Sequence, residues 1–429
     1  MPPTSLAART LARDLAAHTG ERVLLQGWLH HTRNLRAVDF LLLRDRTGTT
    51  QVIVEDADQR TLLATLPHES VIAVTGKVVA NPQAPGGVEV HHPQISPVSV
   101  PDSEPPFELF RPSLSVQLPT RLDHAAVSLR HPSSVMAQRL TAAAMRGFRT
   151  ALDSYGFTEI QTPKLLETAP EGGANVFKVD YFGRDAFLAQ SPQLYKQIMV
   201  GALERVYEVA PAFRAEPHDT SRHVSQYLSL DAELGYIEDH QDVIRVVRNV
   251  IVAMMAEMRR IEAAGVTIPD VPPEIPQIQF RDALSMLGVP EGEPDLAPEH
   301  ERALGDWAMR EHGSAWLFVT GYPMAKRPFY THPQPDDDRW SNSFDLLCMG
   351  LEITTGGQRL HRYEDYMHAL RERGMDTAPF RGYLEAFKHG MPTHGGFAIG
   401  LERMIKQIIG AANVREVMLF PRDLHRLAP

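Results

Sequence analysis

The sequence contains only one cysteine, Cys348, among 429 residues. An internal disulfide and a cysteine-rich metal site are therefore excluded, and the composition suits the reducing cytoplasm. No apolar run approaches the ~20 residues that a helix needs to cross a bilayer, so no membrane span is expected. The first 20 residues lack the apolar core of a signal peptide and are more typical of a short leading helix.

Positive charge is also in short supply, because 43 Lys and Arg residues face 53 Asp and Glu residues, a formal net charge of -10. A protein that coats nucleic acid by bulk electrostatics is therefore not expected, although a local basic groove is compatible with this balance. The sequence has neither a P-loop nor a dinucleotide-binding G-x-G-x-x-G pattern. A bound nucleotide would need arginine side chains to hold its phosphates.

The patterning predicts two domains and a hinge. Residues 1–103 contain about five short alternating stretches between Glu21 and Val100, which favours an OB-fold β-barrel, a fold that binds single-stranded nucleic acid or sugars. Residues 104–131 are rich in proline and predict a hinge. Residues 132–429 mix long helices and strands without a βαβ rhythm, which favours an α+β domain with an antiparallel sheet flanked by helices. Its first helix is expected to be capped by Ser133 or Ser134.

Two neighbouring stretches place polar groups on one face of the predicted sheet. In YLSLDAELGY the alternation separates Ser229, Asp231 and Glu233 from an apolar face. In EVAPAFRAE the corresponding polar set includes Arg214 and Glu216. The connection between them, FRAEPHDTSRH, is longer and more charged than a hairpin turn requires, so it is interpreted as an anion-binding loop.

Further oxygen and nitrogen groups fit the same pocket. Ser191 is expected to cap a helix whose first turn projects Gln193 and Lys196 from one face. In SFDLLCMGLEITTGGQR, Asp345, Glu352 and Thr355 form an oxygen-only set that suits Mg²⁺, with Arg359 beyond them. An equally good interpretation is that the two acids only pair with arginines. Their seven-residue spacing shares a face only if Gly350 marks a bulge.

The segment HGGFAIGLERM runs from a small-residue strand into a helix. Gly395, Gly396 and Gly400 are expected to let a flat ring approach the backbone. Arg403 would then lie over that ring.

These segments, in this order, resemble the three motifs of class II aminoacyl-tRNA synthetases over nearly the whole chain. The first is GFTEIQTPKLLE with Pro163, the second runs from FRAE through SRH to YLSLDAE, and the third is GLERM with Arg403. The OB-type domain, AQSPQLYKQ, EGGAN, TTGGQR and FPRD make the chain similar to the short-form aspartyl-tRNA synthetases within the aspartate, asparagine and lysine subgroup. A homodimer built around Pro163 is implied.

The resemblance also implies a role for each residue. The ATP-binding set is Arg214, Glu216, Arg222, His223, Tyr227, Glu352 and Arg403, of which Arg214, Glu216 and Arg403 are catalytic. The aspartate-binding set is Glu171, Ser191, Gln193, Lys196, Asp231 and Arg359. The Mg²⁺ set is Asp345, Glu352 and Thr355. The anticodon-binding set is His30, Arg33, Phe40, Gln51 and Pro85. Many relatives have phenylalanine near the position of Tyr227, which puts its stacking role on adenine in doubt.

His30 and Pro85 stand where strict relatives carry tryptophan and lysine, so charging of both tRNA(Asp) and tRNA(Asn) is expected. Phe40 has a competing interpretation as a core residue of its strand. Four alternatives stay open for the protein: a discriminating aspartyl-tRNA synthetase, an asparaginyl-tRNA synthetase, a paralogue that amidates free aspartate, and an inactive OB-type RNA binder. Lys196 argues against the asparaginyl-tRNA synthetase, and the predicted barrel argues against the amidating paralogue. The inactive RNA binder is disfavoured by the presence of Arg214, Glu352 and Arg403.

Overall fold

The computed structural model describes residues 9–167, 175–217, 219–261, 265–290 and 292–428. Glu171, predicted to bind aspartate, lies outside these ranges. The chain forms two compact units, Met1–His131 and Pro132–Pro429. The proline-rich residues 104–131 thus belong to the first unit.

The first unit is a closed five-stranded barrel, as the sequence predicts. Its strands follow the order β1-β2-β3-β5-β4 around the barrel. The strands are β1 (Arg22–Asn34), β2 (Asp39–Arg44), β3 (Thr49–Val54), β4 (Val71–Ala80) and β5 (Val88–Ser99), and the helices are α1 (Ala57–Ala64), α2 (Leu118–Asp123) and α3 (Ala125–Ser128). The predicted leading helix is a 3₁₀ helix, Ala12–His18. Alternate aliphatic residues such as Leu25, Leu41 and Val52 fill the barrel, which is the period-two pattern of a half-buried strand.

The second unit is built on one large sheet. Its strands are β6 (Thr158–Glu159), β7 (Leu165–Leu166), β8 (Lys178–Tyr181), β9 (Arg184–Leu188), β10 (Arg205–Phe213), β11 (Gln226–Gly235), β12 (Gln277–Gln279), β13 (Trp316–Thr320), β14 (Ser343–Cys348), β15 (Leu351–Gln358) and β16 (His394–Gly400). The large sheet has the order β12-β13-β14-β15-β16-β11-β10-β6, and β7, β9 and β8 form a small separate sheet. The six central strands of the large sheet are antiparallel. The two edge strands pair in parallel, so the sheet is mixed.

Helices cover the apolar face of the large sheet. The helices of this unit are α4 (Pro132–Ser154), α5 (Gln193–Leu203), α6 (His240–Arg259), α7 (Phe280–Met286), α8 (Pro298–His312), α9 (Tyr363–Glu372), α10 (Arg381–Lys388) and α11 (Leu401–Ile409). The largest core contains residues of α4, α6 and α11 together with Leu230, Phe344 and Phe397 of the sheet. α4 begins at Pro132, so Ser133 and Ser134 lie inside its first turn and the predicted serine cap is wrong. Within the described residues, no helix has the length and hydrophobicity of a membrane span.

Candidate active site

The polar face of the sheet contains a pocket between the β10–β11 connection and the strand-to-helix junction of β16 and α11. The pocket brings together all seven residues predicted to bind ATP: Arg214, Glu216, Arg222, His223, Tyr227, Glu352 and Arg403. They come from three separate segments, residues 214–227, the start of β15 and the first turn of α11, and the strand order places these segments side by side. The β10–β11 loop joins two antiparallel neighbours in the sheet, and its residues form one wall of the pocket.

Within the loop, an arginine and a histidine lie near one carboxylate. Arg214 Nη1 lies 3.8 Å from Glu216 Oε1, and His223 Nε2 lies 3.5 Å from Glu216 Oε2. The guanidinium of Arg214 also lies over the ring of Tyr227, 5.6 Å from its centroid. The loop therefore presents a guanidinium above an aromatic ring, an arrangement that suits a phosphate next to a flat base.

Arg222 is held by a residue of helix α8, which lies outside the three motifs. Its Nη2 donates to both carboxylate oxygens of Glu301 in α8, at 2.7 and 2.9 Å. Glu301 also accepts the backbone N–H of Glu352 at 2.9 Å. Burial raises the pKa of Glu301, although these two contacts oppose the shift. No local sequence pattern indicates this role, because the partners of Glu301 lie 79 and 51 residues away.

A second unpredicted residue, Arg415, fixes the far end of the loop. Its guanidinium donates to Asp219 Oδ1 at 2.7 Å and to the carbonyl of Thr220 at 3.0 Å. On its other side it donates to Asp423 Oδ2 at 2.5 Å. Arg415 is buried, and this set of acceptors balances its charge. The segment around Arg415 therefore forms part of the wall that supports the pocket.

Two members of the predicted Mg²⁺ set, Glu352 and Thr355, line the pocket, and the third, Asp345, lies on the neighbouring strand β14. Thr355 Oγ1 donates to Glu352 Oε1 at 3.1 Å, and Arg403 Nη1 lies 3.6 Å from Glu352 Oε2. Asp345 is paired across the strands with Thr355, and Arg327 Nη2 lies 3.1 Å from Asp345 Oδ1. Glu352 shares a face with Asp345 because the register shifts between Leu346 and Leu347.

The predicted bulge at Gly350 is therefore wrong. The strand pairing skips Ile353, which is the bulged residue. Gly350, at φ 74°, lies in the turn between β14 and β15 instead.

The donor chemistry fits a divalent cation only as part of a larger ligand set. Burial, followed by the nearby charge of Glu352, raises the pKa of Asp345 to about 6, while Arg327 opposes the shift. A cation between the two carboxylates would relieve that unfavourable charge. Within the described ranges, no cluster of three or more His, Cys, Asp or Glu side chains is arranged to hold a metal by itself. Two carboxylates and a hydroxyl leave room for substrate phosphates, as Mg²⁺ sites commonly do.

The glycines of β16 have different functions from those predicted. Of the three, only Gly400 lines the pocket. A side chain on Gly395 would point at Ile237 and Val243 in the core, and one on Gly396 would overlap the carboxylate of Glu233. Gly395 is therefore needed for close packing in the core, and Gly396 leaves space for the carboxylate of Glu233.

That deeper part is a buried cluster of two cations and two acids. Lys196 Nζ lies 3.1 Å from Asp231 Oδ1 and 3.2 Å from Glu233 Oε2. Arg359 Nε donates to Glu233 Oε1 at 3.0 Å. Burial raises the pKa of Glu233, but the charges of Arg359 and Lys196 outweigh it, so the net shift is downward. The sequence placed Glu233 on this face but assigned it no role.

Gln193 and Ser191 complete this cluster. Arg359 Nη2 donates to Gln193 Oε1 at 3.4 Å and to the carbonyl of Gly396 at 3.1 Å. The Nε2 of Gln193 is buried and has no hydrogen-bond partner among the described residues. Helix α5 starts at Gln193, and Ser191 Oγ accepts its N–H at 3.3 Å. The N-cap position is Pro192, one residue later than predicted.

In the barrel, the predicted anticodon residues are not equally placed. Arg33 is directly opposite Phe40 on β1 and β2, and Gln51 is opposite Leu42 on β3 and β2. All three are at least partly accessible, and Pro85 is exposed in the β4–β5 connection.

His30 differs from this group. It occupies a bulge in β1 and is buried, with Nδ1 3.8 Å from Glu69 Oε1. The expectation that His30 contacts a base is therefore corrected, because its ring is not presented to solvent.

A closed barrel followed by a mostly antiparallel sheet with an arginine-lined pocket is the architecture of a class II tRNA synthetase. The family model for class II tRNA synthetases (D, K and N) matches residues 117–424, and the model for OB-fold nucleic acid binding domains matches residues 23–98. The chain belongs to the class II tRNA synthetases of this group.

Within this family, the chain is similar over its whole length to aspartate–tRNA ligases. The chain is 48% identical to aspartate–tRNA(Asp/Asn) ligase of Thermus thermophilus, covering 98% of this chain and 100% of the relative. It is 38% identical to aspartate–tRNA(Asp) ligase of Thermococcus kodakarensis, covering 96% and 97%. Among solved structures, asparaginyl-tRNA synthetase from Pyrococcus horikoshii complexed with asparaginyl-adenylate matches with a TM-score of 0.91, 28% identity and coverage of 99% and 100%.

Proposed function

We propose that this protein is an ATP-dependent aspartate–tRNA ligase that attaches aspartate to both tRNA(Asp) and tRNA(Asn). The observation that supports the choice of amino acid is the buried pair of cations, Lys196 and Arg359, at the inner end of the site. A substrate side-chain carboxylate needs such a partner, whereas the neutral amide of asparagine does not.

In the first step, the α-carboxylate of aspartate attacks the α-phosphorus of ATP and pyrophosphate leaves. Arg214 is assigned to the α-phosphate, where charge accumulates in the transition state. Arg222, His223 and Arg403 are assigned to the β- and γ-phosphates, Tyr227 to the face of the base, and Glu216 to its amino group or the tRNA end. Mg²⁺, held by Asp345, Glu352 and Thr355, would neutralise the leaving pyrophosphate.

The amino acid is assigned to the buried cluster. Arg359 would form a two-point pair with the side-chain carboxylate, with Lys196 as the second cation. Asp231, Gln193 and Ser191 are suited to the α-ammonium group and its surroundings, and Glu171 keeps the same assignment from the sequence. The 3′-hydroxyl of the terminal ribose of the tRNA then attacks the acyl carbon of the aspartyl-adenylate, so the aspartyl ester forms and AMP and a proton leave.

Acceptance of both tRNAs is tested by charging purified tRNA(Asp) and tRNA(Asn) with labelled aspartate. We expect comparable efficiencies, because Pro85 offers no donor where strict relatives carry lysine. A preference for tRNA(Asp) of a thousandfold or more, about 4 kcal/mol, would contradict dual specificity. Pro85→Lys should widen the gap more than His30→Trp, since His30 is buried.

Asparaginyl-tRNA synthetase is the second candidate because of the structural match to that enzyme. Pyrophosphate exchange with aspartate and asparagine in parallel separates the two. Exchange supported by asparagine and not by aspartate would refute the proposed substrate. Exchange with aspartate but no transfer to any tRNA would favour the amidating paralogue.

We also propose that two copies form a homodimer around Pro163 in the cytoplasm. The cytoplasm is supported by the only cysteine of the sequence, Cys348, which is buried and free, as is common in a reducing compartment. Mass in solution measures the assembly, and a fully active monomer would contradict it.

A further inference from the structure

Helix α8 lies outside the three motifs, yet one of its carboxylates contacts two residues that line the pocket. Glu301 is buried, and it is the residue that links α8 to the loop through Arg222 and to β15 through the backbone of Glu352. Arg222 and Glu352 line the pocket on two different segments. A single buried acid thus joins a cation predicted to hold phosphate to a residue predicted to hold Mg²⁺.

The approach of α8 to β15 depends on two glycines. A side chain on Gly305 would overlap the backbone of Gly350 in the β14–β15 turn, and one on Gly350 would lie 2.8 Å from the Cα of Arg302. Such separations are too short for any Cβ, so both positions require glycine. The contact brings the first turns of α8 against the beginning of β15, where Glu301 accepts the N–H of Glu352.

The contact between Glu301 and Arg222 also sets the direction of the guanidinium. Only Nη2 of Arg222 donates to Glu301, so Nε and Nη1 are left for a ligand in the pocket. An arginine side chain has several rotatable bonds, and a fixed fork loses less entropy when it binds phosphate. The carboxylate is therefore arranged to preorganise Arg222 and not to block it.

We infer that Glu301 is a positioning residue for the pyrophosphate end of ATP, acting through Arg222. This inference rests on the proposed function and extends it to a helix that none of the motifs includes. Removing the negative charge should loosen Arg222 and weaken ATP use while leaving aspartate recognition intact, because the aspartate cluster lies on other elements, α5, β11 and the segment after β15.

The test is aspartate-dependent pyrophosphate exchange with Glu301→Gln, which keeps the size of the side chain and removes its charge. We expect kcat/KM for ATP to fall at least tenfold, with KM for aspartate changed less than twofold. Glu299→Gln is the matched control, since Glu299 is an exposed acid in the same turn, and it should behave like the wild type. Circular dichroism and thermal unfolding check that each variant is folded.

A double-mutant cycle with Arg222→Met separates positioning from general damage. If Glu301 acts through Arg222, then Glu301→Gln should change kcat/KM for ATP by less than twofold once Arg222 is Met. Independent, multiplying losses in the double variant would overturn the inference, as would a parallel rise in KM for aspartate or wild-type ATP kinetics in Glu301→Gln.

Two further outcomes keep the inference falsifiable. Gly305→Ala keeps the Glu301 side chain but pushes α8, which carries it, away from β15. This variant should therefore show the same selective loss of kcat/KM for ATP. Unchanged ATP kinetics in a folded Gly305→Ala variant would count against the inference. If the wild type shows no aspartate-dependent exchange, the proposed function fails. Exchange in the wild type with no effect of Glu301→Gln refutes only the role of Glu301.

Discussion

Replacing Arg359 by methionine should damage stability and aspartate activation for two different reasons. In the folded protein Glu233 is completely buried and has two cationic partners, Arg359 at 3.0 Å and Lys196 at 3.2 Å. Removing one partner of a buried ion pair typically costs about 3–5 kcal/mol, because the remaining charge keeps its desolvation penalty. We therefore expect a lower free energy of unfolding and a Tm lower by on the order of 10 °C.

The effect on activity has a separate origin. A carboxylate substrate that loses a two-point contact with arginine should lose about 3 kcal/mol of binding in the transition state, or roughly a hundredfold in kcat/KM for aspartate. The assay is pyrophosphate exchange at varied aspartate and saturating ATP. KM for ATP should stay within about twofold, because Arg359 does not line the ATP pocket.

The double variant Arg359→Met/Glu233→Gln distinguishes the two effects. Position 233 is a neutral glutamine in the double variant, so most of the lost free energy of unfolding should return. Aspartate activation should not return, because the partner of the substrate carboxylate is still missing. If the double variant activates aspartate as well as Glu233→Gln alone does, then Arg359 serves only to neutralise Glu233, and the assignment of Arg359 to the substrate is refuted.

Three other predictions concern separate parts of the molecule. Burial raises the pKa of Glu402 from 4.5 to about 7, so the stability that its protonated form contributes is complete below about pH 4.5 and is lost as pH rises through 7. Glu402→Gln should remove up to about 3 kcal/mol of this pH dependence of the free energy of unfolding, measured by urea unfolding. Parallel pH profiles for the variant and the wild type would contradict this prediction. Gly396→Ala should destabilise the protein by several kcal/mol in the same assay, since its Cβ would overlap Glu233 and the carbonyl of Ala232; Gly382→Ala, where a Cβ meets nothing within 4 Å, is the control and should be neutral or slightly stabilising. Phe40→Ala should lower kcat/KM for tRNA by a factor that corresponds to about 1–3 kcal/mol and leave pyrophosphate exchange unchanged. A loss of stability with unchanged tRNA charging would instead favour a role for Phe40 in the core.

Alternation along β11 was enough to predict which side chains face the pocket. Ser229, Asp231 and Glu233 lie on the polar face, while Leu230 and Ala232 belong to the core on the other face. A period of two is a local property of a strand, so it can be read without knowing the neighbours. The barrel was predictable for the same reason.

The residues that escaped prediction act across long stretches of chain. Glu301 and Arg415 meet partners 79 and 195 residues away, and nothing beside them in sequence distinguishes them from ordinary charged residues of a helix. Register is the other limit. A bulge at Ile353 and another at His30 each change which side chain faces which way. The spacing of Asp345 and Glu352 indicated the first bulge, but not the residue at which it occurs.

The contact of Arg415 with the β10–β11 loop has a consequence for synthesis of the protein. The ion pair between Arg415 and Asp219, and the pair between Arg415 and Asp423, require residues that leave the ribosome after every strand of the sheet has emerged. A nascent chain that has built both the barrel and the sheet therefore still lacks the support for its β10–β11 loop. The pocket is therefore completed only after the segment around Arg415 has followed the last strand of the sheet out of the ribosome.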